Sequence, residues 1–235
     1  MSSAILASEG NRLIEALPRR DRQRFLAGCR PVTLAFAEVL ATPGEPIRHV
    51  FFPTDSFISL VSPNEGCPSL EVGLVGNEGM LGTSLILGVP TSPLHALVQG
   101  AGPALRMRAA PFRREFGLSP ALRSLLHRYL HVVMRQLAQT AACTGFHLVE
   151  ARLARWLLMT QDRAHSNEFH VTHEFLAFML GVRRVGITKA ATALQNHGLI
   201  RYARGNIVVR DRIGLEAASC GCYRADQNSY SQALG

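Results

Sequence analysis

Val171-Thr-His-Glu-Phe-Leu-Ala-Phe-Met-Leu-Gly-Val-Arg-Arg-Val-Gly-Ile-Thr-Lys-Ala-Ala-Thr-Ala-Leu-Gln-Asn-His-Gly-Leu-Ile200 is the stretch whose reading decides the fold. Phe175, Leu176, Met179 and Leu180 recur at helical spacing. Thr172 stands where an N-cap belongs, with Glu174 in the first turn, where the helix dipole favours an anion. Gly181, free to take a positive φ, ends that helix. A second helix is predicted from near Arg183, with Val185, Ala190, Ala193 and Leu194 inward and Arg183, Arg184, Thr188, Lys189 and Asn196 outward. Two short helices around a glycine turn, the second basic at its start, are the helix-turn-helix arrangement that enters the DNA major groove.

Directly after it, Ile200-Arg-Tyr-Ala-Arg-Gly-Asn-Ile-Val-Val209 reads as a hairpin with Gly205-Asn206 as its two-residue turn. A hairpin in this place is a wing, and Arg204 and Asn206 are its candidate phosphate contacts. The whole chain carries a net charge of +8. Between Gly181 and Arg212 there are seven basic residues (Arg183, Arg184, Lys189, Arg201, Arg204, Arg210, Arg212) and one acid, Asp211. Seven minus one leaves +6 of the +8 in this stretch, so the excess sits on the candidate double-stranded DNA surface.

Working outward, residues 11–27 read as one amphipathic helix, with Leu13, Ile14, Leu17, Phe25 and Leu26 apolar. From Val32 to Met107 the texture changes to short β-prone runs about ten residues apart, divided by Pro and Gly. That punctuation predicts an antiparallel β-barrel or jelly roll. Beyond Pro111 the chain turns helical. The run Leu118–Cys143 carries two apolar faces, Leu126/Leu130/Val133/Leu137/Ala141 and Leu122/Leu125/Tyr129/Val132, which suit packing on its own domain and on a second copy. Gly145 is expected to end it, and His147–Gln161 to form the next helix. The predicted class is therefore α+β: an N-terminal sensor barrel (1–117), a long dimerisation helix (118–146) and a C-terminal winged helix-turn-helix (147–235).

No run approaches the roughly 18 uninterrupted apolar residues of a membrane span. The N-terminal MSSAILASEGNRLIEALPRR lacks a basic-then-apolar signal pattern, so a cytoplasmic protein is expected, with no membrane partner. Five scattered cysteines (Cys29, Cys67, Cys143, Cys220, Cys222) do not form a disulfide framework. Cys220-Gly-Cys222 is the only close pair; a two-thiol element without a second pair reads as free thiols rather than a metal site. His127 and His131, at i,i+4, have no carboxylate or thiol near them in sequence, and no metal or cofactor is expected. There is no Gly-rich phosphate loop, Ser elbow or His/Asp/Cys constellation, and no enzymatic activity is expected.

The order of barrel, long helix and winged helix-turn-helix resembles the Crp/Fnr family of bacterial transcription regulators, from roughly Leu13 to Ala217. The similarity is strongest in Glu150-Ala-Arg-Leu-Ala-Arg-Trp-Leu-Leu and in Thr172–Ile200, and Pro43-Gly44-Glu45 before Val50-Phe51-Phe52 looks like the family's Gly-Glu element. The resemblance implies a homodimer on a near-palindromic operator, with RNA polymerase as a further partner if the protein activates. It implies that Thr172 holds a phosphate, that Arg184 reads a base and that Lys189 is another basic contact. Val185 stands where many members carry a base-reading glutamate; valine accepts no hydrogen bond from cytosine but touches a thymine methyl. Arg183 replaces a small residue there and adds a donor.

In cyclic-nucleotide-binding members a Gly-Glu pair holds the ribose and an Arg about ten residues later holds the phosphate. Here the matching stretch gives a degenerate effector pocket of Glu78, Gly82, Thr83 and Ser92: Thr83 occupies the glutamate's place, Leu94 stands where a polar phosphate partner is expected, and no arginine lies between Glu78 and His95. A phosphate without a cation is strongly disfavoured, so cyclic AMP is not expected and the effector stays open. The iron–sulfur branch needs clustered N-terminal cysteines, and only Cys29 precedes Cys67. Haem-binding members use a sensor histidine, for which His49, His95, His127 and His131 are equivalent candidates. The competing reading is a small-molecule or redox signalling module whose helix-turn-helix docks protein, which leaves the basic wing unexplained.

Overall fold

The computed structural model describes residues 10–63 and 69–234. Cys67 and the N-terminal residues 1–9 lie outside the described residues. The chain forms α1 (Arg12–Glu15), α2 (Arg19–Ala27), β1 (Arg30–Leu34), β2 (Val39–Ala41), β3 (His49–Pro53), β4 (Phe57–Ser62), β5 (Leu70–Val75), β6 (His95–Gly100) and β7 (Gly102–Arg108). Then follow α3 (Ala109–Leu118), α4 (Pro120–Phe146), α5 (Val149–Ala164), β8 (Glu168–His170), α6 (His173–Leu180), α7 (Arg184–Asn196), β9 (Ile200–Ala203), β10 (Asn206–Val209), α8 (Arg212–Ala218) and α9 (Cys222–Leu234). None of the described helices is long and apolar enough to cross a membrane.

The chain divides into two compact units, one of residues up to Ile58 with Val75–Leu130, the other of Ser59–Leu74 with His131–Ala233. The strands before α3 form antiparallel sheets, β1-β7-β3 and β2-β6-β4-β5, in jelly-roll fashion rather than as a closed barrel. In the first unit Phe25 meets Phe52 edge-on at 5.3 Å, with Val50, Met107 and Phe112 fully buried. Buried Asn11 holds α1 in place: its amide donates to Pro53 O (2.9 Å) and Gly79 O (2.8 Å), and its Oδ1 accepts from Leu13 N (3.2 Å). The 11–27 helix of the sequence reading is broken in two, because Pro18 has no N–H to give and drives Leu17 out of helical conformation. Leu26, expected inside, is 40% exposed.

Helix α4 begins at Pro120, the first-turn position where a missing N–H costs nothing. Ser119 caps it by accepting from Leu122 N (3.1 Å) while donating to Asp21 (2.6 Å). Gly145 does not end it, since the helix runs to Phe146. Of its two apolar faces, Leu122, Leu125, Tyr129 and Val132 are buried, and the Tyr129 hydroxyl accepts from Met80 N (3.1 Å). Leu126 of the other face is buried too, but further along Leu137 (39%) is exposed together with Met134 (62%).

Candidate nucleic-acid interface

The Thr172–Ile200 stretch folds as its sequence pattern requires. The Thr172 side chain accepts from Phe175 N (3.1 Å) to cap α6. Gly181 closes α6 at φ 63, the left-handed conformation that a side chain disfavours. Leu176, Met179 and Leu180 of α6, and Ile187, Ala190, Ala191 and Leu194 of α7, are buried. Val185 is not among them: at 59% exposure it lies outward, correcting the inward placement drawn from periodicity, because the stripe that packs is 187/190/191/194. Arg183, Arg184, Val185, Thr188 and Lys189 thus make one continuous exposed surface at the start of α7. Arg183 is its N-cap residue and makes no side-chain cap bond. The Thr188 hydroxyl donates to Arg184 O (3.1 Å) and meets His173 Nδ1 at 3.1 Å.

The wing is a three-stranded sheet in the order β8-β10-β9, its first strand unforeseen. The register pairs Asn206 with Ala203, so the turn residues are Arg204 (φ 50) and Gly205 (φ 84), not Gly205-Asn206. Positive φ at both central positions is the turn that matches strand twist. Gly205 is needed there twice over, because a Cβ would come within 2.8 Å of the His170 ring. Asn206 therefore opens β10 and meets His170 Nδ1 through its Oδ1 at 2.8 Å. Arg204 stands at the exposed tip, with Arg201 exposed on β9.

One contact pattern was missed by sequence reasoning. The His173 and Tyr202 rings stack at 4.3 Å, and Gln195 Oε1 accepts from Tyr202 N (2.8 Å), so α6, α7 and the wing are held in one piece. Burial, and then the charge of Arg184, lowers the His173 pKa, so the ring is neutral at neutral pH and adds no charge to this face. A histidine at the first position of α6 was the only hint in the sequence.

The basic surface is smaller than the charge run suggested. Arg212 is half-exposed but committed, donating to Gln161 (2.8 Å), Asp162 (2.7 Å), Glu216 (3.0 Å) and the Tyr223 hydroxyl (2.6 Å). It is a structural tie. Arg183, Arg184, Lys189, Arg201, Arg204 and Arg210 remain exposed, and residues 181–210 contain no acid. The lone acid at the margin, Asp211, caps α8 by accepting from Gly214 N (2.9 Å).

In the first unit a cavity of about 370 Å³ is lined by Glu45, Arg48, His49, Gly82 and Ser92, among others. Of the four sequence-predicted effector residues it takes in Gly82 and Ser92; Glu78 and Thr83 are not part of its lining. Glu78 is buried and accepts from Gly76 N (3.2 Å), and Thr83 opens a single 3-10 turn, Thr83–Leu87. The Ser92 hydroxyl donates to Leu94 O (2.7 Å), a local turn bond. The cavity also corrects the cation argument: Glu78–His95 holds no arginine, but Arg48 reaches this space from just before β3. Arg106, Arg108 and Arg48 add to burial in lowering the His49 pKa.

Residues 151–218 match the Crp-like helix-turn-helix domain. Among solved structures, a Crp/Fnr-family transcriptional regulator from Eubacterium rectale superposes with a TM-score of 0.69 at 16% identity, covering 88% of this chain and 96% of that one. The c-di-GMP-responsive global regulator CLP of Xanthomonas campestris gives 0.68 at 16% identity, covering 82% and 99%. FixK2 of Bradyrhizobium japonicum gives 0.69 at 14% identity, covering 82% and 98%. No curated protein sequence matches the chain. The fold is the one these solved structures share, and the basic helical face lies within the residues that match the Crp-like helix-turn-helix domain. Residues 151–218 belong to the Crp-like helix-turn-helix domain family, and the chain as a whole has the Crp/Fnr fold.

Proposed function

We propose that the protein is a homodimeric transcription regulator that lays α7 in the major groove of a near-palindromic operator. The observation that carries this reading is the exposed, acid-free face of Arg183, Arg184, Val185, Thr188 and Lys189, rigidly joined to a basic wing. Arg184 reads a guanine edge through its paired donors, and Val185 supplies an apolar contact suited to a thymine methyl. Thr172, Arg204 and Asn206 take phosphates. The unpartnered Met134 and Leu137 on α4 support pairing with a second copy through residues 118–146, between a sensor part (1–117) and the DNA-binding part (147–235). Thr83, Leu94 and the turn-bonded Ser92 favour a sensor that does not hold cyclic AMP in the usual pose.

Selection from random DNA gives the operator. Arg184→Ala then weakens specific binding by about 1–3 kcal/mol and random-DNA binding much less. Equal losses on both would reduce Arg184 to a phosphate contact. Leu137→Glu yields a monomer in sedimentation with reduced operator affinity; an unchanged dimer would move the interface elsewhere. Calorimetry with cyclic AMP tests the sensor, and a dissociation constant below about 10 μM would overturn its degenerate reading.

A further inference from the structure

The reading of Cys220-Gly-Cys222 as an isolated two-thiol element does not survive folding. Cys143, in the last turn of α4, and His147, one turn on, converge with Cys220 and Cys222 so that their four ligand atoms all lie within 4.8 Å of one another. Cys143 Sγ and Cys220 Sγ are 3.5 Å apart, and Cys222 Sγ lies 3.4 Å from His147 Nδ1. His147 keeps the helical phase, its N–H donating to Cys143 O (3.1 Å), and so presents its ring on the same side as Cys143. The single Gly221 between the other two lets both thiols turn toward one point.

We propose that Cys143, His147, Cys220 and Cys222 form a Cys3His site for one zinc ion, which clamps the end of α4 and the start of α5 to the α8–α9 junction. Four N and S ligands at a Zn–S distance of about 2.3 Å and Zn–N of about 2.0–2.1 Å make a tetrahedron with edges of about 3.8 Å (S to S) and 3.5 Å (S to N). The Cys143–Cys220 and Cys222–His147 spacings match those edges within a few tenths of an ångström. So compact a set suits a single ion rather than an iron–sulfur cluster, whose ligands must reach around inorganic sulfide.

Gln139 Nε2 donates to Cys222 Sγ (2.9 Å), and Arg152 and Arg155 of α5 stand beside Cys143. Three thiolates crowded together repel one another unless a dication sits between them. With zinc and a neutral histidine the site carries one negative charge, which Arg152 balances, Arg155 being already paired with Asp226. The three cysteines are buried and the histidine is exposed, giving a closed site with an entry side for the ion. Arg152 also donates to Leu180 O at the end of α6, one residue before the helix-turn-helix glycine, so the cluster stands beside a side chain that braces this turn.

The test needs no DNA and is independent of the regulator reading. The full chain, purified under reducing conditions with zinc supplied, should contain one zinc per chain by elemental analysis. Cobalt substitution should give the visible bands and sulfur-to-metal charge transfer of a tetrahedral thiolate site. His147→Ala, a change at an exposed position, should weaken zinc binding on the order of 10–100-fold, at least the loss seen for outer-shell partners. Circular dichroism of that variant should stay unchanged, and Cys222→Ser should weaken the cobalt charge-transfer band, which scales with the number of bound thiolates. Four results would overturn the site: no metal bound, a Cys143–Cys220 disulfide that takes up no metal after reduction, acid-labile sulfide with iron, or unaltered affinity in His147→Ala.

Discussion

Helix α5 and the start of α7 both present arginines, which share chemistry but not fate. On α5, Arg155 is buried at 2.5 Å from buried Asp226 of α9, and Arg152 is buried against the Leu180 carbonyl. On α7, Arg183 and Arg184 are exposed, and residues 181–210 contain no acid. A guanidinium taken out of water must be paired, whereas an uncompensated one must stay exposed. Only the second kind is available to an external anion. Arg212 shows that charge counting along the chain cannot tell them apart: it counts toward the basic run yet is spent on Asp162, Glu216, Gln161 and Tyr223.

The sharpest break of this comparison is Asp226→Ala. Stranding Arg155 should cost about 3–5 kcal/mol of stability in urea unfolding, while Arg183→Ala should stay within about 0.5 kcal/mol. Equal effects would mean that the two arginine classes do not differ as described.

Next in size is a buried acid of the same unit. Glu71 on β5 accepts from Ser59 (2.6 Å), and burial pushes its pKa from an ordinary 4.5 up to about 7. Between those values the folded chain holds a proton that the unfolded chain releases. This contribution is complete below pH 4.5 and lost as pH rises through about 7. The loss amounts to at most about 3 kcal/mol. Glu71→Gln should therefore flatten the stability profile between pH 5 and 8 and raise the melting temperature at pH 8. An unchanged slope would show that Glu71 ionises normally.

A smaller effect separates capping from DNA contact at Thr172. Thr172→Ala should cost about 1 kcal/mol of stability through the lost α6 cap. Thr172→Asp keeps the cap but sets a negative charge against a phosphate, so it should keep the fold and weaken DNA binding; full binding would remove Thr172 from the interface. Smallest is the wing. Arg204→Ala should leave stability unchanged and lower the slope of log affinity against log salt by about 1. An unaltered slope would take the wing off the phosphates.

The helix-turn-helix and its outward face, apart from Val185, were legible in the sequence, because caps, a glycine stop and a 3.6-residue stripe are local signals within a short stretch. The sequence also carried the order of strands, long helix and winged unit, since the shift from Gly- and Pro-punctuated runs to uninterrupted apolar periodicity marks a change of element. Even locally it misplaced what depends on register: the wing turn moved by one residue once strand pairing fixed Asn206 opposite Ala203. Folding alone settles which arginines are paired, that Arg48 lines the cavity of the first unit, and that Cys143 and His147 join Cys220 and Cys222. Those contacts join residues far apart in sequence, 71 positions for Arg155 and Asp226 and 77 for Cys143 and Cys220. At such separations no spacing rule connects the partners; burial of the intervening elements brings them together.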